Sequence, residues 1–317
     1  MRPDSLRIAF LGPPGTFTEE ALLSQADLAE AELVPYPTMP DVLAAVEHSE
    51  VLLGFVALEN SIEGTVNASI DHLIFEADLH IHREVVLSVH QHLVGPSGLA
   101  LADVERVVSI PHALAQCRGF FARELPGVQE VAAASTAEAV RLVGEGGFPD
   151  GTAAIGTALA AKLYGLDLLA RDIQDHEENE TRFVLVARAE HGIPAPTGHD
   201  KTSIVCFQYA NQPGSLHAIL GQFSARNLDL SKLESRPTKR GLGDYCFIID
   251  LAGHVDDEVV ADCLRDLHAQ LPALKFLGSY PAAGVGGPAI RRDAEAAWKA
   301  ADAWVAALRH TVHPSPG

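Results

Sequence analysis

Between residues 7 and 188, short apolar runs alternate with helix-forming stretches, and no other feature constrains the chain so strongly. The runs fall at 7–11, 33–36, 53–58, 81–93, 104–110, 128–133, 152–155, 166–170 and 183–187. Strands separated by helices predict parallel sheets of α/β type. The polar-alternating stretch around 80–94 breaks the rhythm and reads as a crossing between two lobes, with the chain returning near 171–183. At 317 residues the chain exceeds one ordinary core, so a two-lobed domain plus a smaller one is expected.

The smaller unit spans 202–280. Its strands are expected at 202–208, 229–235, 244–251 and 274–280, and its helices at 215–226 and 255–270. That order is βαββαβ, the ferredoxin-like plan. Residues 189–201 form a Pro/Gly linker without periodicity. The tail, 281–317, opens Gly/Ala-rich and continues as a helix. Ile290, Ala294, Ala297, Ala301, Trp304 and Leu308 share one seam of it. That seam is expected to dock on its own subunit, or else on another.

Forty-two acidic against 23 basic residues give a net charge of −19. This excludes an electrostatic footprint for nucleic acid or an anionic membrane. An anionic ligand must then be captured by local donors against an unfavourable global field. The apolar run 8–11 is too short for an export signal or a spanning helix. Cys117, Cys206, Cys246 and Cys263 are scattered without a C-x-x-C pair and read as reduced thiols of a cytoplasmic protein. His80/His82 and His90/His92 can each share a strand face; rim histidines are the plainer reading, a metal pair the sharper one.

Four runs carry candidate chemistry. Gly12-Pro13-Pro14-Gly15-Thr16-Phe17-Thr18-Glu19 follows the first strand, and Thr16 with Glu19 makes a capping box. The free N–H groups of that helix start suit an anion, although capping alone also explains the residues. Glu59-Asn60-Ser61-Ile62-Glu63-Gly64 ends the third strand, where open α/β sheets bind ligands. Asn60 and Ser61 can donate to a carboxylate there, or simply cap the next helix. In Ser109-Ile110-Pro111-His112-Ala113-Leu114-Ala115-Gln116-Cys117, Gln116 is expected in the first helical turns, facing the crevice. Cys117 reads as a packed hydrophobe, and His112 as a cap or a titrating group. Finally Asn179-Glu180-Thr181-Arg182-Phe183 places a hydroxyl donor, a cation and an aromatic face where an acid-rich loop turns into a strand. Arg182 there needs an anion or a carboxylate partner.

In this order and spacing, GPPGTFT, ENSIEGTV, S-x-P-x-ALAQC and NETRF resemble prephenate dehydratase over residues 6–188. Gly214-Ser215-Leu216-His217-Ala218-Ile219-Leu220 and Glu234-Ser235-Arg236-Pro237 resemble the phenylalanine-binding motifs of its regulatory ACT domain. The resemblance implies a periplasmic-binding-protein-like, two-lobed catalytic domain followed by an ACT domain. It implies conversion of prephenate to phenylpyruvate with loss of water and CO2, without a metal, nucleotide or nicotinamide cofactor. Thr181 would donate to the departing oxygen, and Arg182, Asn60, Ser61 and the helix start at Thr16 would anchor carboxylates. Phe17 and Phe183 would keep the ring dry, with Gln116 also in contact. Glu59, His112 or water would stand behind Thr181 as the proton source. L-phenylalanine would bind between paired ACT domains through Gly214, Ser215, Leu216, Asn227, Leu228 and Ser235, in a homodimer or homotetramer. One departure is Ile110, where the family usually has His; His112 is a candidate substitute. A dehydratase acting on arogenate, and a non-catalytic solute-binding or amino-acid-sensing protein, are the competing readings.

Overall fold

The computed structural model describes residues 6–208, 213–239, 241, 244–284, 300–301 and 303–309. Two compact units emerge, one of residues 6–78 and 85–188, the other of 79–84 and the chain from 189 onward. By contact the segment 79–84 groups with the smaller unit, although its strand continues into the first.

In the first unit, one lobe is a sheet ordered β2-β1-β3-β11-β5, with a short β4 on β3. Its strands are β1 (Arg7–Leu11), β2 (Glu32–Tyr36), β3 (Leu53–Asn60), β4 (Gly64–Thr65), β5 (Leu79–Ser88) and β11 (Glu180–Arg188). Ile8, Phe10, Phe55, Phe183 and Leu185 pack with Leu22 of α1 (Phe17–Leu23) in one core. Helices α2 (Met39–Glu47) and α3 (Asn67–Phe75) bury Val42, Leu43, Val46, Ile70 and Leu73.

The second lobe is a sheet ordered β10-β6-β9-β7-β8. Its strands are β6 (His92–Gly95), β7 (Arg106–Ser109), β8 (Gln129–Ala132), β9 (Thr152–Gly156) and β10 (Asp167–Ala170). The pleat sends alternate residues to opposite faces. Leu93, Val107 and Ile155 pack with α4 (Pro111–Ala115) and α5 (Arg118–Glu124), while Val94, Val108 and Ala154 pack with α6 (Thr136–Gly144) and α7 (Ala158–Leu163). A sheet buried on both faces needs near-continuous apolar strands, which is why these runs were legible in the sequence.

The sheets are mixed, not purely parallel as expected. β11 lies antiparallel to β3, and β6 antiparallel to both β10 and β9. The reason is the double crossing. The chain leaves the first lobe after β5 and re-enters it through β11. The expected strand over 81–93 is accordingly two strands, broken at 89–91. Val89 N–H donates to Asn179 O at 2.7 Å, and Ile173 N–H to Gln91 O at 2.8 Å, tying the outgoing and returning segments together.

The smaller unit has the predicted plan. β12 (Asp200–Phe207), α8 (Ser215–Ser224), β13 (Leu230–Pro237), β14 (Tyr245–Ala252), α9 (Glu258–Gln270) and β15 (Ala273–Pro281) form a sheet ordered β13-β14-β12-β15. Ile204, Cys206, Phe247 and Ile249 pack with Phe223 of α8 and Val260 and Leu267 of α9. Gly278 has φ +139°, and a Cβ there would lie 2.5 Å from Ile81 O, so only glycine lets β15 approach the 79–84 segment this closely. Ile290, Ala294 and Ala297 of the expected tail seam lie outside the described residues. Residues 300–301 and 303–309 are helical, with Trp304 64% and Leu308 47% exposed.

Candidate active site

A cavity of about 270 Å³ opens between the two lobes of the first unit, where β1, β3, β7 and β11 end or begin. Of the residues singled out from the sequence, Thr16, Phe17, Asn60, Gln116, Thr181 and Phe183 line it. They come from the α1 start, the β3 end, the α4 end and β11, and only the fold brings them together.

One hydrogen-bonded chain joins them. Asn60 Nδ2 donates to Thr181 Oγ1 at 2.9 Å and to Asn179 Oδ1 at 2.7 Å. Asn179 Nδ2 donates to Gln116 Oε1 at 3.2 Å, and Gln116 Nε2 donates to Glu63 Oε1 at 2.9 Å. Asn60 Oδ1 accepts from the N–H groups of Ile62 and Glu63, both at 2.9 Å, which fixes the amide's orientation. The consequence falls on Thr181. Its oxygen already accepts a hydrogen bond, while no acceptor among the described residues takes its own proton. Its O–H is free to donate into the cavity.

The Gly-Pro-Pro-Gly loop is clasped by the opposite lobe. Thr157 Oγ1 donates to Gly15 O at 2.8 Å and Tyr164 O–H to Pro14 O at 3.0 Å. Gly15 has φ +92°, and a Cβ on it would sit 2.8 Å from Ala160 Cβ. The capping box is present. Glu19 N–H donates to Thr16 Oγ1 at 3.3 Å, and Glu19 Oε2 accepts from Gly15 N–H at 2.5 Å. Thr16 Oγ1 also donates to Leu11 O at 3.0 Å, so this hydroxyl is engaged by the fold, while the residue stands at the helix start on the cavity wall. Thr18, one residue beyond Phe17, lines the cavity as well.

Three expectations are corrected. Glu59, Ser61 and Arg182 do not line the cavity. Residues 181 and 182 both belong to β11, so the pleat points their side chains to opposite faces. Arg182 Nη1 lies 3.8 Å from Glu59 Oε2, its register partner across β3. Ser61 Oγ donates to Glu178 O at 3.1 Å and accepts from Glu180 N–H at 2.9 Å, stitching the loop above the cavity. Gln116 reaches the cavity as the C-cap of a five-residue helix.

Sequence reasoning missed Thr18, Glu63, Gln91, Thr136 and Asn179 on the cavity wall. Glu63 and Asn179 stand inside recognised motifs. Thr136 follows the N-cap Ser135, whose hydroxyl accepts from Glu138 N–H at 3.0 Å, a helix-start signal readable in the sequence. No local pattern marks Gln91. His112 and Ile110 both border the cavity.

Cys117 is fully buried, and burial pushes its thiol up to about 12, which suits a packed hydrophobe and not a nucleophile. All four cysteines are free and buried. Among the described residues no group of three or more His, Cys, Asp or Glu side chains is arranged to hold a metal ion. His90 Nδ1 pairs with Asp172 Oδ1 at 2.8 Å, and burial holds His92 and His82 below the ordinary histidine range. Among the described residues no helix is long and apolar enough to cross a membrane.

Residues 8–191 match the family model for prephenate dehydratase, and residues 202–269 match the ACT domain. A prephenate dehydratase of Mycolicibacterium vanbaalenii is 40% identical over 309 residues, covering 92% of this chain and 96% of that one. The crystal structure of a prephenate dehydratase from Arthrobacter aurescens in complex with L-Phe superposes with a TM-score of 0.86 at 38% identity, over 96% of this chain and 100% of that one. A protein described as a quorum-quenching acylase superposes with a TM-score of 0.78 at 31% identity, over 87% of this chain and 98% of that one. With the family model matched over 8–191 and relatives similar over nearly the whole length, the chain belongs to the prephenate dehydratase family and is an enzyme of the reaction from prephenate to phenylpyruvate.

Proposed function

We propose that Thr181 donates its proton-side hydrogen bond to the departing ring hydroxyl of prephenate while Asn60 holds the threonine in that orientation. The reaction takes up one proton and releases water and CO2. The bond from the ring to its carboxylate breaks, its electron pair enters the ring, and the C–O bond breaks with that oxygen leaving as water. Aromatisation drives the step, so the enzyme need only lower the barrier. A threonine O–H is too weak an acid to surrender its proton. It gives a hydrogen bond that strengthens as charge grows on the leaving oxygen, which is differential stabilisation of the transition state. The observation that carries this reading is the 2.9 Å bond from Asn60 Nδ2 to Thr181 Oγ1, which leaves the hydroxyl proton free.

The other roles follow from placement. The helix starts of α1 and α6, with Thr18 and Thr136, meet the substrate's carboxylates through N–H and O–H donors. No arginine or lysine among the described residues lines the cavity, so a ring carboxylate there is poorly neutralised and its charge is readily given up as CO2. Phe17 and Phe183 are the dry walls. Glu63 and His112 are the ionisable groups on the cavity wall among the described residues, and they replace Glu59 as candidates for the proton source. Arg182 and Glu59 brace β11 against β3 from the other face. No step calls for a redox partner, since atoms and electrons balance without one.

L-phenylalanine is the proposed effector of the ACT domain, in keeping with the L-Phe complex of the Arthrobacter relative. Gly214, with φ +86°, and Ser215 and Leu216 stand at the start of α8; Asn227, with φ +53°, and Leu228 stand beyond its end. A helix of 10 residues separates the two groups by about 15 Å. One amino acid touching both sets must therefore draw them from two copies, with exposed Ser235 on β13 beside it, which supports a homodimer or a homotetramer. The proposed setting is the cytoplasm. Purified protein offered prephenate and arogenate separately, with and without L-phenylalanine, tests these assignments. Phenylpyruvate formed from prephenate, and inhibited by L-phenylalanine, is the expected result; preferential turnover of arogenate would overturn the substrate assignment.

A further inference from the structure

Gln91 lies in the crossing between β5 and β6 and is 2% exposed. Its backbone is engaged on both sides: the N–H donates to Gln174 Oε1 at 3.0 Å, and the carbonyl accepts from Ile173 N–H at 2.8 Å. Its side chain is not. Oε1 is closed off from solvent, and no donor among the described residues reaches it. The residue nevertheless lines the cavity that holds Thr181. An apolar side chain of the same length would fill the site without stranding an amide oxygen, so fold stability does not account for glutamine here. Conflict with a local rule on the wall of a ligand cavity points toward the ligand.

The chemistry of the substrate selects the group. Prephenate is rich in acceptors, with two carboxylates and a keto oxygen, and carries a single donor, the ring hydroxyl. Several acceptor oxygens along the wall already hold protein donors. Glu63 Oε1 is taken by Gln116, Gln116 Oε1 by Asn179, and Asn60 Oδ1 by its own turn. The terminal torsion of glutamine is broad, so the amide can turn its oxygen to a ligand without strain. The position fits as well. The bond from Val89 N–H to Asn179 O holds this crossing against the segment that enters β11 two residues before Thr181.

We infer that Gln91 is a specificity-determining residue: its amide oxygen accepts the hydrogen bond of the prephenate ring hydroxyl and turns that oxygen's lone pair toward Thr181. The inference rests on the role of Thr181 proposed above. It makes Gln91 a reader of the ring end of the substrate, a group that phenylpyruvate no longer has.

Gln91→Met and Gln91→Leu, in the full-length chain, test it. The expected loss in kcat/KM for prephenate is about tenfold to a hundredfold, the range for a missing hydrogen bond to a polar substrate group. The inhibition constant of phenylpyruvate should stay within about twofold, because the contact is made only to the lost hydroxyl. Tm should hold or rise in at least one variant, since a stranded oxygen has been removed. Unchanged kinetics with prephenate would overturn the inference, as would a parallel loss of phenylpyruvate affinity or a lowered Tm in both variants. Thr181→Val is the control that separates the two readings. If it is inactive while Gln91→Met behaves as wild type, only the role of Gln91 falls; if it retains full turnover, both fall.

Discussion

Thr181→Val keeps the branched shape of the side chain and deletes only the oxygen. Its effect on folding can be worked from the bonds around it. Asn60 Nδ2 has two hydrogens and three acceptors within reach: Asn179 Oδ1 at 2.7 Å, Glu180 O at 3.2 Å and Thr181 Oγ1 at 2.9 Å. Losing the third still leaves a partner for each hydrogen, so no buried donor is stranded. The stability change should then be no more than the net value of one hydrogen bond, about 1 kcal/mol, or a Tm shift of about 2–4 °C. The barrier behaves differently. A donor aimed at developing charge is worth about 3–4 kcal/mol, so kcat should fall about 10²–10³-fold. Single-turnover formation of phenylpyruvate, beside a thermal melt of the same preparation, separates the two quantities. A kcat within a factor of about three of wild type would remove Thr181 from the chemistry. A melt lowered far beyond the expected shift would mean that the hydroxyl serves the fold.

Asn179→Ala attacks the same network at its centre. Asn179 is 1% exposed, and its loss leaves Gln116 Oε1 without its donor, so calorimetry should register a cost of about 1–3 kcal/mol together with a fall in kcat. Stability unchanged alongside full activity would show that the relay between lobes is ornamental. Removal of residues 202–317 should leave some turnover and abolish inhibition by L-phenylalanine; persistent sensitivity in an initial-rate assay would refute the ACT assignment. Burial pushes the thiols of Cys117 and Cys206 up to about 12 and that of Cys263 up to about 11, whereas unfolded thiols ionise near 8.5. Above pH about 8.5 the unfolded chain binds fewer protons than the folded one, so stability present below that pH is lost as pH rises toward 11–12. Urea melts between pH 8 and 10.5 should follow this decline, less steeply in Cys263→Ala; a rise in stability over that range would contradict the direction.

Much of the fold was legible because its strands are buried on both faces. The runs of β1, β7 and β9 are apolar almost without interruption, and each was placed within two residues of where it lies. The break at 89–91 was not legible, since Val89 continues the apolar alternation and Gln91 interrupts it no more than the histidines beside it. The opposite facing of Thr181 and Arg182 had a usable signal. Any strand with a period of two separates neighbours, and a strand begun only at 182 or 183 leaves Thr181 outside that alternation.

Taken alone, the order of amino acids determined which segments become strands and helices, where the Pro/Gly linker divides the chain, and which short runs end at strand mouths, because propensity and periodicity act between near neighbours. Tertiary structure decided which of those side chains share a cavity. Gln116 and Glu63 are 53 positions apart, and Asn60 and Thr181 are 121, yet each pair meets within hydrogen-bonding distance. Such bonds depend on two crossings between lobes and on the face to which each pleat turns a side chain, and both are set by packing over the whole unit, which no local window of residues contains.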